Sequence, residues 1–240
     1  MEPNEIEKMH KLEETHWWFQ GKKYIIKSII SEIDIPEGKF LDIGCGTGMF
    51  LREIGKGRRS YGIDVSGQAL SYCKKKVNAF LIKAAGNRLP FKDAVFSLVS
   101  LFDIIEHVDN DFELLKEVYR VCKPGAIVII TVPAFSFLWG SHDIAQHHKR
   151  RYTQNQLRNL GLSAGFLSER LTYTNFFIFL PVLLRRITSR KLSDNEESDL
   201  SEMPGIINDF LKCIYKFEAF YLKKASFPFG VSLLMVLRKP

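Results

Sequence analysis

The chain has 240 residues, 46% of them hydrophobic and 25% charged, which fits one soluble α/β domain with a core large enough to need no staples. Its four cysteines, Cys45, Cys73, Cys122 and Cys213, are scattered without CxxC spacing, which argues against a disulfide framework or a zinc site and for reduced thiols in a cytoplasmic protein. The net charge of +7 permits attraction to phosphates or anionic lipid without demonstrating either.

The first residues, MEPNEIEKMHKLEETHWWF, lack the apolar stretch of a secretory signal. Residues 4–33 read as two helical pieces, the second with Tyr24, Ile25, Ile26, Ile29, Ile30 and Ile33 recurring near every 3.6 residues. After the break at PEG (36–38), strands and helices alternate: strands at 39–43, 60–64, 80–82, 95–101 and 126–132, with helices to about 54, at 68–77 and at 111–122. KPG (123–125) is expected to stop the last of these helices. A loop rich in aromatics, His and Arg follows at 134–152, then a helix from Thr153 to about 162 and a strand at 167–173. More than fifty residues separate this from a final strand at 230–237, and they hold an apolar-basic helix (176–190), an acidic linker (191–204) and an amphipathic helix (206–224). The expectation is a single domain over 1–240: an N-terminal helical lid (1–36), a doubly wound, seven-stranded, mostly parallel Rossmann-like core (37–175 and 230–240), and a helical insertion (176–229). The longest apolar run, 176–184, is interrupted by Pro181 and falls short of the roughly 18–20 residues that span a bilayer.

The chemistry concentrates at LDIGCGTG (41–48), where a hydrophobic strand runs into three glycines at alternate positions and then a helix. Glycine is needed where the backbone approaches a ligand or turns left-handed, and amides at the helix start are expected to favour an anionic group. A dinucleotide calls for GxGxxG, but Met49 stands where the third glycine would fall, and the GxxxxGK[ST] phosphate loop is absent. The ligand left is S-adenosylmethionine, its amino-acid end over the turn. Asp64, at the end of the second strand, is placed to accept both ribose hydroxyls.

LDIGCGTG (41–48), YGIDVS (61–66), RLPFKDAVFSLV (88–99), FDIIEHV (102–108) and VYRVCKPGAIVIITVP (118–133) together resemble the successive motifs of class I S-adenosylmethionine-dependent methyltransferases of the type 11 small-molecule group. The resemblance implies that Asp42, Gly44, Cys45, Gly46 and Gly48 hold the methionine part, that Asp64 and Val65 hold the ribose, and that Ala85, Gly86, Asn87, Phe102 and Asp103 line the adenine and methyl pocket, with S-adenosylhomocysteine as product. Two positions depart from the family pattern: Ala85 stands where an acid often contacts the adenine amino group, and Phe96-Ser97 replaces a common Phe-Asp. THWWF (15–19), LWGSHD (138–143) and HHKRRYT (147–153) resemble a bacterial and archaeal subgroup often encoded beside cell-surface polysaccharide or lipid-linked glycan genes, which implies such an acceptor.

His107 and His148 are the candidate proton acceptors, since a hydroxyl acceptor must lose a proton near neutral pH. His107 could equally cap the helix after it. His16, Trp17 and Trp18 read either as a water-excluding lid over the substrate or as a helix packed by its Trp pair, and His142 as a substrate contact or a structural group. Lys149, Arg150 and Arg151 could grip a phosphate or carboxylate, Arg151 through a bidentate fork. No resident metal is expected. Ile207, Phe210, Leu211, Ile214, Phe217, Phe220 and Tyr221 form one apolar face, which with 176–190 suits either membrane contact at the inner leaflet or packing, including against a second copy of the chain. The stretch after strand four, FDIIE, lacks the [DNS]PP[YFW] turn of amino-directed nucleic-acid enzymes, so nucleic acid is not expected as a partner. A binding protein that keeps the fold without catalysis is the remaining alternative.

Overall fold

A computed structural model of the chain describes residues 3–86, 88–189 and 203–240. Asn87 and nearly all of the acidic linker lie outside the described residues. The elements run α1 (Pro3–Leu12), α2 (Trp17–Ile30), β1 (Lys39–Ile43), α3 (Met49–Ile54), β2 (Ser60–Asp64), α4 (Gly67–Lys76), β3 (Phe80–Lys83), β4 (Phe96–Phe102), α5 (Asp111–Val121) and β5 (Cys122–Pro133). A short 3-10 turn (Ser136–Leu138) then precedes α6 (Ser141–Ala145), α7 (Gln154–Ser163), β6 (Leu167–Thr174), α8 (Phe179–Ser189), α9 (Gly205–Leu222) and β7 (Ser232–Arg238).

The seven strands form one sheet in the order β3-β2-β1-β4-β5-β7-β6, so the fold is the doubly wound Rossmann-like α/β class. β1, β2, β3, β4 and β5 pair in parallel. β4 is buried along its whole length, as a central parallel strand covered by helices on both faces must be. β7 runs against β5: Gly125 N–H donates to Lys239 O at one end, and Ala134 N–H donates to Val231 O at the other. KPG (123–125), expected to lie between helix and strand, instead falls inside β5. The register against β4 shifts there, with Gly125 left-handed at φ 77°, so the helix stops one residue before a bulged strand starts.

The chain divides into two compact units. One comprises Met1–Ile33, Pro133–Thr153 and Thr172–Leu233; the other comprises Asp34–Val132, Gln154–Leu171 and Leu234–Pro240. The second holds β1–β5 and the helices between them. The first joins the N-terminal helices to the insertion. In it α2 and α9 lie side by side: Trp17 N–H donates to Asn208 Oδ1 (2.8 Å), Gly21 meets the Tyr215 ring, the Ser28 hydroxyl donates to Ala219 O, and Lys223 pairs with Glu32 (3.8 Å). A Cβ on Gly21 would sit 2.3 Å from that ring, so glycine is what lets the two helices approach. The face of α9 that packs is therefore Tyr215, Glu218, Ala219 and Leu222. The apolar face read from the sequence is largely exposed, with Ile207, Phe210, Phe217, Phe220 and Tyr221 all at the surface.

Glu218 is the buried acid of this unit. Its carboxylate accepts the N–H groups of Asn175 and Phe176 and so holds the left-handed turn at Asn175 (φ 62°). Burial pushes its carboxyl up to about 7, against the pull of those N–H groups. An acid raised in the folded state contributes stability that is full below its unfolded value of 4.5 and lost as pH climbs toward 7. The unfolding midpoint is therefore expected to fall between pH 5 and pH 7.5, by an amount equivalent to roughly 2 kcal/mol. Glu218→Gln is expected to flatten that slope from a lower starting point, because its NH2 cannot accept the second N–H. Thermal melts across that pH range read both effects.

Candidate functional site

The strand register of the second unit assembles the cofactor-site residues expected from the sequence. Ile43 aligns with Ile63 on β2 and with Leu101 on β4, and Asp64 aligns with Lys83 on β3. The carboxyl ends of β1, β2, β3 and β4 therefore share one edge, at the point where the strand order reverses between β1 and β4. Open α/β sheets bind ligands in this crevice. The glycine turn leaves β1 there, Asp64 and Val65 leave β2, Ala85 and Gly86 follow β3, and Phe102 and Asp103 end β4.

The turn is shaped by its glycines. Gly44, Gly46 and Gly48 all take positive φ, at 71°, 52° and 91°, a conformation side chains rarely adopt. A Cβ on Gly48 would lie 2.6 Å from Cys73 Sγ, so this glycine also makes room for α4. Four amides of the turn are taken up within the protein. Gly44 and Cys45 N–H both donate to Ile63 O, Gly46 N–H to Asp64 Oδ2, and Gly48 N–H to Cys45 O. α3 has only six residues, and the turn is satisfied by neighbouring strand and carboxylate rather than by the start of that helix. Buried Cys45 has its thiol pushed far above the usual range by its hydrogen bond with Cys73 and by burial, so it is a packing group and not a nucleophile.

Asp64 is half-buried and uses one oxygen on Gly46 N–H (2.9 Å) and the other on Ser66 N–H (2.8 Å). It thus ties the turn after β1 to the turn after β2. Asp42 is buried, and its Oδ1 accepts from the Ser100 hydroxyl at 2.6 Å, a contact set by the Asp42–Ser100 register of β1 and β4. Asp103 is left-handed (φ 55°), held by Thr131: its N–H donates to Thr131 O, and its carboxylate accepts the Thr131 hydroxyl at 2.8 Å. The ring of Phe102 lies 4.4 Å from that of Phe50, making the adjacent wall apolar. The segment after Gly86 is clamped from α5: Glu117 accepts Leu89 N–H, and Arg120 donates to Leu89 O and Phe91 O. Val65 and Ala85 are exposed, and Gly86 is half-buried. His107 is half-buried, its N–H donating to Ile104 O just beyond β4.

The other expected site residues fall in the first unit. His16 caps α2, its Nδ1 accepting Trp18 N–H at 3.3 Å, while Trp17 packs its ring 5.7 Å from that of Tyr215. Trp18 stands edge-on to Trp17. Asp143, completely buried, organises the loop after β5. It takes the Arg151 guanidinium in a two-pronged grip (2.8 and 2.9 Å), His148 Nδ1 at 2.9 Å and Gly140 N–H at 2.8 Å. Burial pushes its carboxyl up, but the bonds from His148 and Arg151 and the guanidinium charge outweigh this and hold it well below the usual range. Arg151 also donates to Ala134 O, so its fork is engaged inside the loop. The His142 ring stands perpendicular to that of His148 at 5.9 Å. Asp143 was legible in the sequence only as one member of a His-rich stretch; its spacing of eight from Arg151 follows no helix or strand period.

Residues 41–130 match the family model for a methyltransferase domain of the type 11 family. The chain is 32% identical over 135 residues to norajmaline N-methyltransferase of Rauvolfia serpentina, covering 51% of this chain and 45% of that protein. It is 34% identical over 122 residues to demethylmenaquinone methyltransferase of Bacillus mycoides, covering 46% and 52%. The chain thus spans about half the length of the curated relatives it matches. An S-adenosylmethionine-dependent methyltransferase structure from Thermotoga maritima superposes with a TM-score of 0.65 over 99% of this chain and 96% of that one, at 20% identity, a likeness of fold.

Proposed function

We propose that the chain is an S-adenosylmethionine-dependent methyltransferase that methylates a small-molecule or lipid-linked glycan acceptor on oxygen. The observation that carries this reading is the shared edge of β1, β2, β3 and β4, which puts the left-handed glycine turn, the Asp64 carboxylate and the apolar Phe102 end of β4 side by side. Their chemistry fits the cofactor: side-chain-free backbone for close approach, a half-exposed carboxylate for ribose hydroxyls, and an apolar wall for a sulfonium whose charge disappears on transfer. The bound cofactor would supply an electrophilic methyl group and leave as S-adenosylhomocysteine. Asp64 would accept ribose hydroxyls while keeping its two backbone N–H groups. Phe102 would exclude water.

The acceptor oxygen forms its bond to carbon as the sulfur–methyl bond breaks, and its proton passes to a histidine. His107 and His148 are the bases proposed. His107 follows β4 at the cofactor edge; in His148, Asp143 against Nδ1 fixes the ring and makes Nε2 the basic nitrogen. The glycan class rests on the likeness of 15–19 and 138–153 to the glycan-associated subgroup, and neither relative compared above acts on such an acceptor by its name.

Calorimetric titration with S-adenosylmethionine and S-adenosylhomocysteine tests the first half of the proposal, and incubation with methyl-labelled cofactor and lipid extracts tests the second. Gly46→Arg is the control, because it places a long side chain on a left-handed backbone (φ 52°) at the turn. Absence of heat with folded protein would sink the cofactor reading. Binding without label in any lipid or glycan fraction would sink the acceptor class.

A further inference from the structure

The exposed apolar stripes of α8 and α9 fit the surface of an anionic lipid bilayer. On α9, Ile206, Phe210, Phe217 and Phe220 recur at spacings of four, seven and three, and at about 100° per residue they fall within about 80° of one another. Tyr215, Ala219 and Leu222 lie on the opposite side, where α2 packs. Phe210, Phe217 and Phe220 are 64, 60 and 68% exposed, which is unusual for three aromatic side chains on one helix. On α8, Leu180, Leu184 and Ile187 repeat the pattern and are each more than half exposed. Just before α8, the Phe177 ring lies 5.7 Å from that of Phe217 and links the start of α8 to the α9 stripe.

Charge selects the occupant. On α8 and α9 and just after, the described cations that reach the surface are Arg185, Lys212, Lys216, Lys223 and Lys224, with Arg186 buried; Lys212 pairs with Asp209 and Lys223 with Glu32, Glu218 is buried, and Lys216 and Lys224 face no acid of the two helices. Lys212, Lys216 and Lys223 fall along one flank of the α9 stripe. A self-complementary dimer would bring this basic flank against itself. An anionic membrane instead receives the aromatic stripe at its headgroup boundary and the lysines at its phosphates. No helix among the described residues is long and apolar enough to cross a membrane, so contact would be at the surface. We infer that the α8–α9 face seats the protein on anionic bilayers, independently of what the methyl acceptor is.

Co-sedimentation of the full chain with phosphatidylglycerol–phosphatidylcholine vesicles, against pure phosphatidylcholine vesicles, tests this. The wild type is expected to pellet with the anionic vesicles, to be released by salt, and to stay in solution with the neutral ones. F217S/F220S is expected to lower partitioning by about tenfold or more, since two aromatic side chains no longer leave water. Should that variant fold poorly by circular dichroism, L184S and the charge variant K216E/K224E replace it, with the same loss expected. Wild-type protein that stays in the supernatant with anionic vesicles overturns the inference. So does a wild-type dimer in sedimentation velocity that F217S/F220S converts to monomer, which would show a second copy on this face.

Discussion

Replacing Asp143 with alanine is expected to lower the unfolding midpoint by on the order of 10 °C. The substitution leaves the Arg151 guanidinium, only 9% exposed, without its counter-charge, and strips His148 and Gly140 of the same acceptor. Breaking a buried ion pair from one side typically costs about 3–5 kcal/mol, and in a chain of this size each kcal/mol moves the midpoint by about 2–4 °C. Asp143→Asn keeps the shape but not the charge and is expected to fall between wild type and alanine. The pH dependence has a definite sign. The folded carboxyl is held below its ordinary value, so its contribution is present above about pH 4 and is lost as pH falls further. Scanning calorimetry of the two variants and wild type at pH 7 and pH 3.5 checks both points: the gap between wild type and D143A should narrow in acid.

The second large effect concerns the cofactor. Asp64→Ala is expected to weaken S-adenosylmethionine binding by about 100-fold or more, because it removes the proposed ribose acceptor and also unties Gly46 N–H and Ser66 N–H, which shape the turn. Asp64→Asn separates the two roles. An asparagine has one acceptor oxygen, so its NH2 must face either Gly46 N–H or Ser66 N–H, and the turn is disturbed even though volume is conserved. If Asp64 only braced the turn, both variants would lose stability along with affinity. If it also holds ribose, affinity falls much further than the melting midpoint does. Parallel titrations and melts of the three proteins distinguish these outcomes.

Much of the sheet was legible because strands buried on both faces carry unbroken apolar runs, and because glycines and KPG punctuate them. The order of motifs by itself places Gly44, Asp64, Phe102 and Asp103 along one edge. Three features were not legible, each for a physical reason. The Gly44, Cys45 and Gly46 amides bond inward, since their acceptors, Ile63 O and the Asp64 carboxylate, lie on a neighbouring strand whose distance is not a sequence property. Arg151 reads as a surface fork, yet it closes on Asp143 within an irregular loop that has no periodicity to betray the contact. On α9 the more hydrophobic face is exposed, and the buried face mixes Tyr215, Glu218, Ala219 and Leu222, a set chosen by fit to Gly21 and to the turn at Asn175 rather than by hydrophobicity.

The placing of β7 between β5 and β6 has a consequence for how the protein is made. Among the described strands β6 neighbours β7 alone, and β7 follows β6 in the chain, so this side of the sheet closes only after Ser232–Arg238 has been made. Until Ser232–Arg238 emerges, β5 presents an open row of backbone donors and acceptors, and Leu167–Thr174 is held only near its end, by the bridge from Tyr173 to Phe227. An unprotected edge of that kind invites strand addition from other nascent chains. A chain cut before Ser232 would thus yield an aggregating product rather than a slightly shortened fold.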